Sequence, residues 1–389
     1  MNTNKNNIDY TLISIVLLLG VISVFTLYTI EPSLPEKYAG QDFLTKQIIW
    51  YIGGGVFIYL VMLFDYDRFR QLTWILYSIG MIMLLMLFFR FPGPIIVEAN
   101  QAVSWIKFPF IGTLQPAEFM KVILVLSLAH IMYNHNNKYI EQTVKSDLLL
   151  LGKMLLVVLP PMALIVVQPD LGGFLVLAAI TGAMVLVSGI QWKLIFTIFL
   201  IAVGFVGLIV AGYFLFPDSI AVFLEESIFK HVSSRFYGWI SPEEYSDSGY
   251  QLVLAMMSIG SGQLFGKGIQ NLQVEVPERH TDMIFTGIAE QFGFIGASIV
   301  VILLFLLIYR LIHIAILSND NYGGYIITGI VGMFAYQIFQ NIGMSIQLLP
   351  ITGLPLPFLS YGGSSTLTYL IAIGIVLNIH SRTKKYMFE

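Results

Sequence analysis

Chemistry at neutral pH needs side chains that move protons or hold charge, and in this chain they fall into a few clusters. The first is Val276-Pro277-Glu278-Arg279-His280-Thr281-Asp282, which runs straight into the apolar stretch Met283-Ile284-Phe285. A carboxylate at the edge of such a stretch can cap the helix that follows, typically worth ~1 kcal/mol. It can equally serve as a base for a substrate hydroxyl, here with Arg279 and His280 beside it. The residues alone leave both readings open. The second cluster is Gln115-Pro116-Ala117-Glu118-Phe119-Met120-Lys121. The i,i+3 spacing of Glu118 and Lys121 puts both on one helix face. Ionisable groups inside apolar runs are costly and mark function by default, although buried pairs also occur for structure alone.

Three further stretches carry polar chemistry. Ser258-Ile259-Gly260-Ser261-Gly262-Gln263-Leu264-Phe265-Gly266-Lys267-Gly268 is glycine-rich but is neither a P-loop nor a GxGxxG fingerprint. It reads as a flexible turn, or as backbone amides and Lys267 cradling a phosphate. In Gln168-Pro169-Asp170-Leu171-Gly172, the proline stops one helix and Asp170 can cap the next. Pro160-Pro161 should kink the helix before it. Leu349 to Ser365, which includes Ser360, is apolar yet rich in proline and glycine. Non-helical backbone near membrane depth is tolerated only when it is buried in protein or lines a wet cavity, so this stretch reads as a re-entrant loop forming a cavity wall, or as a compact structural loop of the same geometry. With zero cysteines and six histidines that form no HExxH pair, disulfides, thiolate catalysis and a zinc site are not expected.

The elements that must position these residues are membrane helices. Of 389 residues, 57% are hydrophobic and 11% charged, and the mean hydropathy is +0.81. That composition excludes a soluble globular, disordered or fibrous chain. The net charge of −3 gives no reason to expect nucleic acid. A span needs about 20 apolar residues, and ten are predicted, near 11–31, 47–64, 71–90, 116–134, 148–167, 171–189, 192–216, 283–309, 323–347 and 363–381. The first is too long for a signal-peptide core and reads as an uncleaved anchor.

Short loops on one side hold Lys5, Arg68, Arg70, Lys138, Lys145, Lys193, Arg310, Arg382, Lys384 and Lys385, against Lys37, Lys46, Arg90 and Lys107 on the other. The richer side is cytoplasmic by the positive-inside rule, which puts both termini inside. The long segment at about 217–282, between spans 7 and 8, then lies outside. Its acids include Asp218, Glu225, Glu226 and Glu244. The expected fold is therefore an all-α polytopic membrane protein, one integral domain over 1–389.

The ordered stretches Gln115 to Lys121, Gln168 to Gly172, Gly249-Tyr250-Gln251, Ser261 to Gly268, Pro277 to Phe285 and Leu349 to Ser365 together resemble the SEDS proteins, the RodA, FtsW and SpoVE family of bacterial cell-wall polymerases. The likeness covers nearly the whole chain. The chain departs from the usual family pattern at Ser104, where arginine is common before Trp-Ile, at Ala117, where serine is usual, and at Gln347, where glycine is common. Pro355-Leu356-Pro357 leans towards RodA.

The resemblance implies polymerisation of lipid II, an undecaprenyl-pyrophosphate-linked disaccharide pentapeptide, into glycan strands at the outer face of the bacterial cytoplasmic membrane. It implies a class B penicillin-binding transpeptidase as partner, bound through its membrane helix, within the elongation or division machinery. It places the catalytic aspartate at Asp282 and gives weight to Glu118 and Lys121. With them, Arg235, Lys267, Arg279, His280 and Ser360 are the expected substrate-binding residues. A divalent cation, Mg or Mn, is compatible with this chemistry, but no residue set specifies its ligands. The rival class is transport, a flippase for the same lipid. The outward clustering of acids and bases favours outer-face chemistry instead.

Overall fold

The computed structural model describes residues 8–38, 40–99, 102–108, 112–141, 143–215, 230–243, 246–318 and 320–383. Among the charges named from sequence, Lys5, Lys384, Lys385, Asp218, Glu225, Glu226 and Glu244 lie outside these residues.

Ten helices stand at the ten predicted spans. They are α1 (Tyr10–Ile30), α2 (Phe43–Leu63), α3 (Tyr66–Phe88), α4 (Pro116–Lys138), α5 (Val144–Val167), α6 (Leu171–Val187), α7 (Trp192–Leu215), α10 (Ile284–Leu317), α11 (Asn321–Ser345) and α12 (Gly363–Thr383). Among the described residues, eight helices are long and apolar enough to cross a membrane, and α6 and the apolar part of α7 are shorter. Short polar side chains start several helices: Asp9, Asp42, Thr143, Asp170 and Asp320 each accept from a first-turn N–H. α5 runs on through Pro160 and Pro161, and the interruption falls in α10, at Gly293.

The most enclosed helices are α4 and α12. Around them pack α2 on α12, α3 on α4, and α6 and α10 on α11. The core is largely aliphatic, with fully buried Leu124, Leu128, Ile326, Ile330 and Ile379. Helices packed this way hold their ends in fixed relation, and the connecting segments at one end build the site.

One element departs from the all-α expectation. Between α3 and α4 lies a three-stranded antiparallel sheet of β1 (Ile96–Ala99), β2 (Ala102–Phe108) and β3 (Gly112–Leu114). Its register pairs Ile96 with Ile106 and Lys107 with Thr113. Val103 and Ile106 bury against Leu87 at the end of α3, which gives this short sheet a hydrophobic footing. The segment between α7 and α10 also contains two helices, α8 (Lys230–Ile240) and α9 (Ser246–Ser261).

Candidate active site

The sheet, the ends of α2, α4 and α6, helix α8, the segment before α10 and the loop before α12 enclose a cavity of about 890 Å³. Its wall includes Lys46 and Trp50 of α2, Ser104 and Trp105 of β2, and Gln115 and Glu118 at the start of α4. Asp170, Arg235, Glu278, Thr281, Asp282, Thr352, Ser364 and Ser365 add further polar groups to the wall.

Asp282 is 9% exposed and faces this cavity. It is not a helix cap: the residue ahead of α10 is Met283, and no side chain caps that end. Its carboxylate meets the Thr281 hydroxyl at 3.2 Å. Its backbone carbonyl accepts from Asn341 Nδ2 at 2.6 Å, and the same amide donates to the Leu354 carbonyl at 2.7 Å. One side chain of α11 thus ties two walls of the cavity together. Gly353, at φ +74°, brings its backbone close enough that a Cβ there would sit 3.8 Å from Asp282 Oδ2. A side chain would be strained at that φ. Burial, with the nearby Glu278 charge adding to it, pushes the Asp282 carboxyl up to about 7. That value suits a base working near neutrality.

The other carboxylates of the cavity already have partners. Glu278 accepts from Tyr38 Oη at 2.5 Å and Lys37 Nζ at 3.3 Å. Burial opposes its charge, but these donors outweigh burial and hold it below the usual range. Asp170 caps α6 through Gly173 N at 2.7 Å and accepts from Gln115 Nε2 at 3.2 Å. Glu118 Oε1 accepts from Lys121 Nζ at 2.5 Å, with both groups buried, while Oε2 has no partner among the described residues. The i,i+3 pairing read from the spacing is thus present, with Glu118 on the cavity wall and Lys121 behind it.

The expected substrate-binding residues divide. Arg235 reaches the cavity wall, where its guanidinium donates to the Thr352 carbonyl at 3.4 Å. Lys267 and Arg279 turn away, both onto Glu290, at 2.9 Å each. The glycine-rich turn that carries Lys267 is therefore folded against α10: a Cβ at Gly266 would lie 2.1 Å from the Gln291 carbonyl oxygen. His280 packs between Tyr38 and Phe43, and burial favours its neutral form. Ser360 Oγ accepts from Leu356 N at 2.8 Å, holding the shape of the loop behind the cavity. Lys46 reads from sequence only as a loop charge, yet it lines the cavity. Its place in the first turn of α2, just outside the apolar run, is the signal that marks it.

Residues 7–385 match the model of the FTSW_RODA_SPOVE family, described as cell cycle protein. The chain belongs to this family. It is 32% identical to stage V sporulation protein E of Bacillus subtilis over 394 residues, covering 99% of this chain and 100% of that one. It is 29% identical to the peptidoglycan glycosyltransferase RodA of Treponema pallidum, covering 97% and 98% of the two chains. Among solved structures, the rod shape determining protein RodA of Thermus thermophilus matches with TM-score 0.65 and 26% identity over 97% of this chain and 98% of that one. A chain from a peptidoglycan synthase complex matches with TM-score 0.76 and 24% identity over 97% and 98%, which shows the fold. Family and apolar helices together make this a multi-pass membrane protein.

Proposed function

We propose that the chain is a peptidoglycan glycosyltransferase that polymerises lipid II into β1,4-linked glycan strands. The observation that carries this reading is Asp282: a buried carboxylate, unspent on any helix cap, facing a cavity of about 890 Å³ in a fold whose relatives are named as such enzymes. The acceptor hydroxyl gives its proton to Asp282 as its oxygen bonds to the donor anomeric carbon. The bond from that carbon to the lipid pyrophosphate breaks in the same displacement, so an α-linked donor inverts to a β link without a protein nucleophile. Charge grows on the departing pyrophosphate, and cations aimed at it lower the barrier. Arg235 and Lys46 line the cavity and take this role here. Among the described residues, no group of three or more His, Cys, Asp or Glu is arranged to hold a metal ion, so no step is assigned to Mg or Mn.

The polyprenyl tails lie along apolar grooves. One of about 730 Å³ runs between α1, α2 and α12, lined by Tyr51 and Ile52, next along α2 to the Trp50 of the polar cavity. A class B penicillin-binding transpeptidase, docked through its single membrane helix, cross-links the product. The cellular role is wall growth for elongation, as in RodA, with division as the second reading. Purified protein given labelled lipid II tests the assignment: glycan chains support it. Lipid moved between leaflets without chains points to a flippase, and neither result leaves a scaffold.

The reaction side follows from orientation. Ten crossings with both termini inside put residues 240–248 outside and residue 389 inside. A membrane-impermeant thiol reagent should label a cysteine placed at Ser246 in intact cells and spare one at Glu389. The reverse pattern would move the cavity to the cytoplasmic face.

A further inference from the structure

The segment that presents Asp282 is gripped from behind by a carboxylate that does not line the cavity. Glu290 sits on α10 with its side chain fully buried. Its Oε1 accepts from Lys267 Nζ at 2.9 Å, Gln273 N at 2.8 Å and Val274 N at 3.2 Å. Its Oε2 accepts from Ser258 Oγ at 2.8 Å and Arg279 Nη2 at 2.9 Å. The five donors come from α9, from the glycine-rich turn and from the stretch leading to Asp282.

Arg279 passes the grip on. The same Nη2 donates to the Val274 carbonyl at 2.5 Å and to Ser258 Oγ at 3.1 Å. Three residues later comes Asp282, and the turn between is closed by the Glu278 carbonyl, which accepts from Thr281 N at 3.1 Å and Met283 N at 3.2 Å. Gly293, at φ +64°, opens the helix so that Phe294 N reaches the Gln263 carbonyl at 2.8 Å and Ile295 N that of Leu264 at 3.2 Å. The turn bearing Lys267 is thereby docked beside Glu290.

We propose that Glu290 is a positioning residue for the glycosyl transfer: by binding Lys267, Arg279 and the amides of Gln273 and Val274, it fixes the segment that holds Asp282 in the cavity wall. The inference rests on the assignment of Asp282 as base. A displacement of about 1 Å at a reacting group costs on the order of 10²-fold in rate, so a residue outside the cavity can control turnover through this segment. Lys267 and Arg279 then serve through Glu290 and do not bind pyrophosphate.

Glu290→Gln keeps the size but removes the charge that balances the buried Arg279 and the half-buried Lys267. In the full chain co-purified with its transpeptidase partner and assayed on lipid II, kcat should fall by at least about 10-fold while KM changes by less than about 3-fold. The acid limb of the rate profile should also move to lower pH by about one unit, because a loosened Asp282 regains water. The groups that face it, Glu278 and Arg235, remain in place. A loss of folded enzyme lowers the apparent kcat without moving that limb. Amide exchange over residues 273–283 should quicken by at least about 10-fold, and this arm reads the grip whether or not the wild type polymerises. If Glu290→Gln does not accumulate, Arg279→Met with Glu290→Gln removes the fully buried pair, leaves only the partly exposed Lys267 charged, and is read in the same way. An unmoved acid limb, or unchanged exchange at 273–283, would overturn the proposal. Absence of polymerisation by the wild type would instead overturn the assignment on which it rests.

Discussion

Replacing Asp282 with asparagine should abolish polymerisation while raising the melting temperature. Asparagine keeps the size but cannot take the acceptor's proton, so the rate on lipid II should fall by at least about 10²-fold. Burial and the Glu278 charge raise the carboxyl from 3.8 to about 7 in the folded protein. The folded state therefore binds this proton more tightly than the unfolded state does. Stability from this group is fully present below pH 3.8 and is lost as pH rises towards 7. The uncharged amide of the Asp282→Asn variant undergoes no such loss. The variant should melt with little advantage near pH 4, and its advantage over the wild type should widen up to about pH 7 and then hold. Thermal melts of the purified proteins across this range check the sign. A variant that retains glycan synthesis, or that melts below the wild type at pH 8, would refute the placement of an unspent carboxylate in the cavity.

The second large effect is at the Glu118–Lys121 pair. Lys121 Nζ is buried and bonded to Glu118 Oε1, so Glu118→Ala leaves an uncompensated ammonium inside the bundle. Breaking such a pair costs about 3–5 kcal/mol, and the variant should yield little folded protein. Glu118→Gln combined with Lys121→Met removes both charges and should restore the yield and the melting temperature. Activity on lipid II should nonetheless remain at least about tenfold down, because the Glu118 face that lines the cavity changes. Yield is read by size-exclusion profile and activity by glycan chain formation. Recovery of both would make the pair purely structural.

The membrane helices are legible in the sequence because runs of about 20 apolar residues are what a bilayer crossing demands and a soluble core does not. Each of the ten predicted stretches holds a helix, and the proline-rich loop from Leu349 to Ser365 contributes Thr352–Pro355 and Tyr361–Ser365 to the cavity wall, the first of the two readings its composition allows. The sheet at Ile96–Leu114 escapes such a reading, since a search at the scale of a span passes over three- to seven-residue strands. The run Ala102 to Phe108, rich in β-branched and aromatic side chains and ahead of Gly112, is the signal that could have found it.

The roles of the cations are legible only in part. Arg235 lies on the cavity wall as expected of a substrate-binding residue, but Lys267 and Arg279, which read from sequence as substrate-binding cations too, do not. Their partner, Glu290, lies inside the run 283–309, where an acid is itself a sign of function. Spacing along the chain does not show that the glycine-rich turn folds back onto α10, because this depends on the break at Gly293 and on packing of distant segments.

The central claim is that Asp282 acts as the base at the cavity wall. Its most direct test is the pH dependence of kcat/KM for lipid II polymerisation by the wild-type protein between about pH 5 and 9. The profile should fall about tenfold per unit below an apparent pKa near 7, as expected when one group must be ionised in the free enzyme. A rate that holds level down to about pH 5 would contradict it.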